Sequence, residues 1–259
     1  DGSVKTSGNA ETNKLILNAG AHTADAYGAE VKTQDGSATG NEVHLTAGTV
    51  GGIVYGAALT ATGAMGSVTG SIVEVTGGSV AGDVYGGKTT GTGAATGHTL
   101  NLYGGSVTGS VYGGHSASGA TTGNTVNLGD GEHSLSATIN GTIYGGNGTD
   151  TTGNTLNVYD SATAKNIRNF DTVHFKGNSP HIAAGDTLLT LTNGVTNLDW
   201  KKIYVDDLDS VTASATGDHI FTLLKNTNTI NLSHYSTTGT RGNIKSDDYE
   251  ADLVTDGNS

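Results

Sequence analysis

Short runs in which every second residue is apolar recur along this chain. In residues 99–103, TLNLY, Leu100 and Leu102 alternate with Thr99, Asn101 and Tyr103; Gly104-Gly105 then turns the chain, and Val107 and Val111 alternate with Ser and Thr. Period-two alternation predicts half-buried strands. The same inward set returns as Val43, Leu45, Val50 and Val54, as Val73, Val75, Val80 and Val84, and as Val126, Leu128, Ile139 and Ile143. One such unit has too few apolar side chains to bury. Stacked units bury a continuous column.

The units form a repeat. Six segments align from Asn13, Asn41, Ser71, His98, Asn124 and Asn154, at spacings of 28, 30, 27, 26 and 30 residues. A tyrosine follows the start by 14 residues in the first four (Tyr27, Tyr55, Tyr85, Tyr112) and by 20 in the fifth (Tyr144), where GDGEHSLSATINGT absorbs six more. Thr-Gly precedes five of the starts, ending at Gly40, Gly70, Gly97, Gly123 and Gly153. A constant half of two strands and a variable half with one loose loop predict a stack of similar turns. The expected fold is an all-β, right-handed parallel β-helix of about six coils of 26–30 residues, with a C-terminal β cap. Coils about 4.8 Å apart would give a rod of roughly 30 Å. A left-handed helix or a trimeric β-roll is the alternative. The register predicts a glycine column at Gly28, Gly56, Gly86, Gly113 and Gly145. It also predicts polar columns at the repeat starts and at Asn101, Asn127 and Asn157.

The expected organisation is residues 1–12 as an N-terminal edge or lead-in, 13–164 as β-helix repeats and 165–259 as the cap. From Lys165 Tyr-Gly-Gly vanishes and Phe170, Phe175, Trp200 and Phe221 appear. Strands are predicted at 171–176, 186–191, 202–205, 219–225, 227–232 and 249–254, punctuated by Asp-Gly, Asn-Gly and Gly-Asp.

Composition narrows the function. With 42 glycines and one proline in 259 residues, disorder is the first suspicion, but apolar residues held in register argue against it. A net charge of −12 without a basic patch argues against nucleic acid or an anionic bilayer as partner. The absence of cysteine excludes a disulfide scaffold, a thiolate metal site and a Cys nucleophile. No apolar run reaches the roughly 20 residues of a membrane helix. The opening DGSVKTSGNAE lacks the apolar core of a signal peptide, so a cytosolic chain or a piece of something longer is expected.

GNTVNL, the VYGG segments, the glycine-rich tails and the lack of cysteine together resemble the passenger region of Gram-negative autotransporters, the type V secreted adhesins. The likeness covers residues 13–160 and continues through KNIRNFDTVHFKGN and AGDTLLTLTNG, which resemble the segment that ends such passengers. It implies translocation of an unfolded chain through an outer-membrane barrel, folding outside and display on the cell surface. It also implies that the cap has an autochaperone-like role.

Candidate chemistry is sparse. GGNGTDTTG at 145–153 nearly matches a calcium-binding nonapeptide, but it occurs once and has Thr152 where an apolar residue belongs. The acidic runs Asp206, Asp207, Asp209 and Asp247, Asp248, Glu250, Asp252 read as solvated turns. His44 and Glu74 share a column and read as a replaced rung of a polar ladder. Glu42 and Glu74 read as isolated acids rather than a glycosidase pair. No enzyme, cofactor or metal is expected. Candidate ligand-binding residues are Tyr27, Tyr55, Tyr85, Tyr112 and Tyr144, either a strip for sugar rings or a partner, or an aromatic ladder that steadies the stack. The function expected is a surface adhesin that binds host glycans or proteins, or copies of itself on neighbouring cells. A passive stalk and a polysaccharide-acting enzyme are the alternatives.

Overall fold

The computed structural model of the protein describes residues 3–5, 8–132, 137–176, 182, 186–193, 196–199, 202–206, 222–226 and 230–233. Among them every strand pair is parallel, and the strands stack into a β-helix with four ladders. The third coil shows the circuit: Ile72–Val75, Ser79–Val80, Val84–Thr89 and Ala95–Thr96, one strand in each ladder. The first ladder is called the asparagine sheet below and the third the tyrosine sheet.

The register follows the repeat alignment. Lys14, Glu42, Ile72, Thr99, Thr125 and Thr155, each one residue after a repeat start, are direct neighbours along the asparagine sheet. The inward valines, leucines and isoleucines of every coil share one buried column. Two glycine columns have separate causes. Gly40, Gly70, Gly97, Gly123 and Gly153 take φ between 62° and 72°, where a side chain would be strained. The column from Gly28 to Gly145 is instead a matter of space: a Cβ on Gly28, Gly56, Gly86 or Gly113 would come within 2.2 or 2.3 Å of the next coil's carbonyl oxygen.

The structure differs from the sequence reading in three places. The second strand of the constant half is two strands, because the chain turns a corner between Ser106–Val107 and Val111–Ser116. At this corner the Asp83 carboxylate of the coil below accepts a hydrogen bond from the Ser110 amide at 2.8 Å. The variable half is not merely a loop. In the early coils it carries the fourth ladder and a small second core of Ala29, Val31, Ala38, Ala57, Leu59, Ala64 and Val68. Along that core Val31 and Leu59 give way in register to Thr89 and Ser116, whose buried hydroxyls bond to each other and to the Gly93 carbonyl.

The third difference concerns the boundaries. Ser3–Lys5 and Ala10–Glu11 already belong to the third and fourth ladders, so part of the lead-in is coil. Beyond Lys165, Asn166–Arg168 and Thr172–Lys176 extend the tyrosine and asparagine sheets, Thr187–Leu191 extends the second ladder, and Ile203–Asp206 and Thr222–Asn226 add a further rung to each of the last two. The asparagine sheet thus has eight strands, six from the repeats and two from beyond them. The change at Lys165 is one of sequence, not of ladder, since Thr172, Val173, His174 and Phe175 still alternate outward and inward. Thr196–Asp199 and Ile230–Ser233 form a separate parallel pair. The strand expected at 249–254 lies outside the described residues.

Candidate functional site

The five tyrosines form one continuous stack. Ring centroids lie 4.7, 5.3, 4.6 and 4.8 Å apart from Tyr27 through Tyr55, Tyr85 and Tyr112 to Tyr144, with planes within 10° of parallel. The strand Val54–Leu59 bends at Gly56 to serve both cores, so Tyr55 and the residue three places on, Ala58, both point outward into one crease. In the next coils Lys88 and His115 occupy the Ala58 position. The Lys88 ammonium is 4.6 Å from the Tyr85 centroid, and His115 meets Tyr85 and Tyr112 edge-on. This crease leaves Tyr55 only 6% and Tyr85 only 5% exposed. Tyr27 and Tyr85 donate their hydroxyl protons to Asp25 and Asp83. Burial, with those carboxylates adding to it, raises the Tyr27 and Tyr85 phenols well above the usual range and pushes Tyr55 up to about 12.

The candidate ligand residues are therefore brought together, but as a ladder. Both faces of Tyr55, Tyr85 and Tyr112 are covered by neighbouring rings. A sugar stacks on an aromatic face, and these faces are already used.

The outer face of the asparagine sheet is different. The Asn157 amide donates to Asn127, and Asn127 to Asn101, both at 2.7 Å. Beside this ladder runs the column Thr99, Thr125, Thr155 and Thr172, in which the Thr155 and Thr172 hydroxyls are 3.0 Å apart. Charge is confined to the two ends. At one end His44 lies between Glu42 and Glu74, at 3.0 and 3.1 Å, and Lys14 pairs with Glu42. His44 and Lys14 hold the Glu42 carboxyl below its usual range. At the other end His174 stacks on Tyr204, and His174 and Lys176 both bond to Asp206. Burial would raise the Asp206 carboxyl, but Lys176 and His174 outweigh it and the carboxyl is lowered.

The reading of Glu42 and Glu74 as isolated acids is corrected here. Glu42 is two residues from His44 on one strand face and Glu74 is its register neighbour, so both reach one imidazole. The Asp150 carboxylate of the calcium-like motif accepts the Thr152 amide in a local turn. The other acidic residues singled out, Asp207, Asp209, Asp247, Asp248, Glu250 and Asp252, lie outside the described residues.

A third column was legible only in part. From Asn41 on, the side chain at each repeat start points inward, and at Asn41, His98, Asn124 and Asn154 it accepts the amide of the start below it. Asn41 accepts from Asn13, Asn124 from His98 and Asn154 from Asn124. Ser71 and His98 interrupt the asparagines, and all of Asn41, Ser71, His98, Asn124 and Asn154 are fully buried. The sequence showed the column but not that it turns into the core. Threonine and asparagine at adjacent positions alternate like any strand, and the inward turn follows a left-handed residue just before each start, Thr12 at the first and glycine at the other five. No protein family, curated protein or solved structure matches the chain.

Proposed function

We propose that this chain is the β-helical passenger of a surface-displayed bacterial adhesin and that it acts by association between copies on neighbouring cells, without catalysis. The observation that carries this reading is the outer face of the asparagine sheet, where threonine and asparagine columns stand in register between charged ends. Such a face repeats the same neutral hydrogen-bonding groups about every 4.8 Å, so many weak contacts engage together. Neutral hydroxyls and amides also leave water at far lower cost than charges. The tyrosine ladder supports the rod rather than the ligand, for both ring faces of Tyr55, Tyr85 and Tyr112 are spent on neighbouring tyrosines.

Catalysis at the His44 cluster is disfavoured by its chemistry. Each ring nitrogen lies within 3.1 Å of a carboxylate of the cluster itself, Glu74 or Glu42, so the three side chains satisfy one another as a polar rung. The lack of cysteine agrees with export through a barrel as an unfolded chain.

Cells displaying the chain on an outer-membrane barrel should clump, and Thr99→Lys with Thr125→Lys and Thr155→Lys should abolish clumping while the purified variant keeps its β-sheet circular dichroism and stays folded at the assay temperature. Clumping that survives the triple variant overturns this face as the contact. Adhesion to glycan-coated surfaces in place of clumping would make the partner a host sugar. Behaviour like empty-barrel cells on every surface would make the rod a stalk.

A further inference from the structure

The buried column of repeat starts is not uniform along the rod. In three places an asparagine carbonyl takes the amide of the coil below. At the third start the column is broken. The Ser71 hydroxyl is too short to serve as such an acceptor, and its oxygen has no hydrogen-bond partner although it is buried. At the fourth start the acceptor is an imidazole: the Ser71 amide donates to His98 Nδ1 at 3.1 Å. Within this column the third coil is thus joined to its neighbours by one missing rung and one titratable rung.

The His98 ring is fully buried. A Cβ on Gly87 would lie 2.2 Å from Nε2 and 2.4 Å from Cε1, so the ring fills the space that a side chain on Gly87 would need, against Val68. Because Nδ1 accepts, the proton of the neutral ring is on Nε2, and Nε2 has no hydrogen-bond partner. The Val68 carbonyl favours the protonated ring slightly but does not meet hydrogen-bond geometry with Nε2. Facing the ring from the elements around it are Val68, Ser71, Gly86, Gly87 and Asn124. None is charged or titratable, so nothing there would compensate an imidazolium.

We propose that the junction between the third and fourth coils is an acid-operated seam. A proton arriving at His98 Nδ1 takes the lone pair that holds the Ser71 amide, and the stack opens there first. Protonation both puts a charge in an apolar interior and turns an acceptor into a donor facing another donor. In a stack where each coil contacts only its neighbours, opening at the weakest junction need not unfold the rest. Burial pulls the ring's titration down to about 3 in the closed stack, against an ordinary value of 6.5. The open form therefore binds a proton that the closed form refuses across that interval. The closed seam is at full strength above about pH 6.5, and opening becomes easier by about tenfold per pH unit below it.

His98→Asn is the matched control. It copies the arrangement one coil on, where Asn124 sits against Gly113 and Gly114 as His98 sits against Gly86 and Gly87. Amide hydrogen exchange should be followed for Ser71 and, as an internal reference, for Asn124, whose amide donates to Asn154. Between pH 6.5 and 4.5 the protection of Ser71 relative to Asn124 should fall about fiftyfold in the parent protein. In His98→Asn the ratio should stay constant. A flat ratio in the parent, or the same fall in the variant, overturns the proposal. Nitrogen chemical shifts of the His98 ring give a reading that needs no variant. A proton settling on Nδ1 while the Ser71 amide stays protected also overturns it.

Discussion

At the residue scale the tyrosine ladder joins packing to proton chemistry. Its rings are stacked face to face because the strand register leaves them no other place, and aromatic contacts of this kind add about 0.5–1.5 kcal/mol beyond burial. The Tyr27 and Tyr85 hydroxyls are anchored on carboxylates, Asp25 and Asp83, each of which also holds a main-chain amide of the next coil. Folded Tyr55 ionises near 12, and Tyr27 and Tyr85 higher, against 10 for an ordinary tyrosine. The folded state thus keeps protons that the unfolded chain gives up above pH 10. Stability from this source is complete below pH 10 and is lost as pH rises through 12. Tyr85→Phe keeps the stacked ring and removes one such proton. Urea midpoints measured from pH 9 to 12 should fall less steeply in Tyr85→Phe than in the parent, and equal slopes would mean that the phenol of Tyr85 is not held as described.

At the element scale the hydrogen-bonded columns set how strongly one coil holds the next. Asn127 both donates to Asn101 and accepts from Asn157, whereas Asn157 contributes one bond of the ladder. With a net value of about 0.5–1.5 kcal/mol per bond, Asn127→Ala should destabilise the rod about twice as much as Asn157→Ala in chemical unfolding. Equal losses would show that the ladder is decoration on a stack held by its core. The same columns explain what could be read from the sequence. Apolar alternation, the tyrosine and glycine columns and the Asn101–Asn127–Asn157 ladder all follow from one register, and that register is written in the repeat. Three things were hidden for physical reasons. The corner at Thr108–Gly109–Ser110 does not interrupt the alternation of Val107 and Val111, so two short strands look like one. The second core is built mostly of alanine, which carries little hydrophobic signal. The coils beyond Lys165 keep the alternation of TVHF but lose Tyr-Gly-Gly, and a ladder requires only the former. The tyrosine strip itself was visible, but a sequence does not say whether a ring's face is open or covered.

At the scale of the whole molecule, charge works against the adhesion proposed for the asparagine sheet. The chain carries −12, and two copies approaching side by side repel. The screening length is about 30 Å at 0.01 M salt and about 8 Å at 0.15 M. The rod itself, at about 4.8 Å per rung, is comparable to the first of these and much longer than the second. In dilute buffer all its charges therefore act together, whereas at physiological salt only the groups near the contact matter. Those groups are mostly threonine and asparagine, with charge at the two ends and much of it already paired, as in Lys14–Glu42 and Lys176–Asp206. Association measured by light scattering should accordingly strengthen as salt rises from 0.01 to 0.15 M and change little beyond that. Weakening with salt would mean that copies are held by ion pairs between the charged ends, and the neutral columns would then be spacers rather than the adhesive surface.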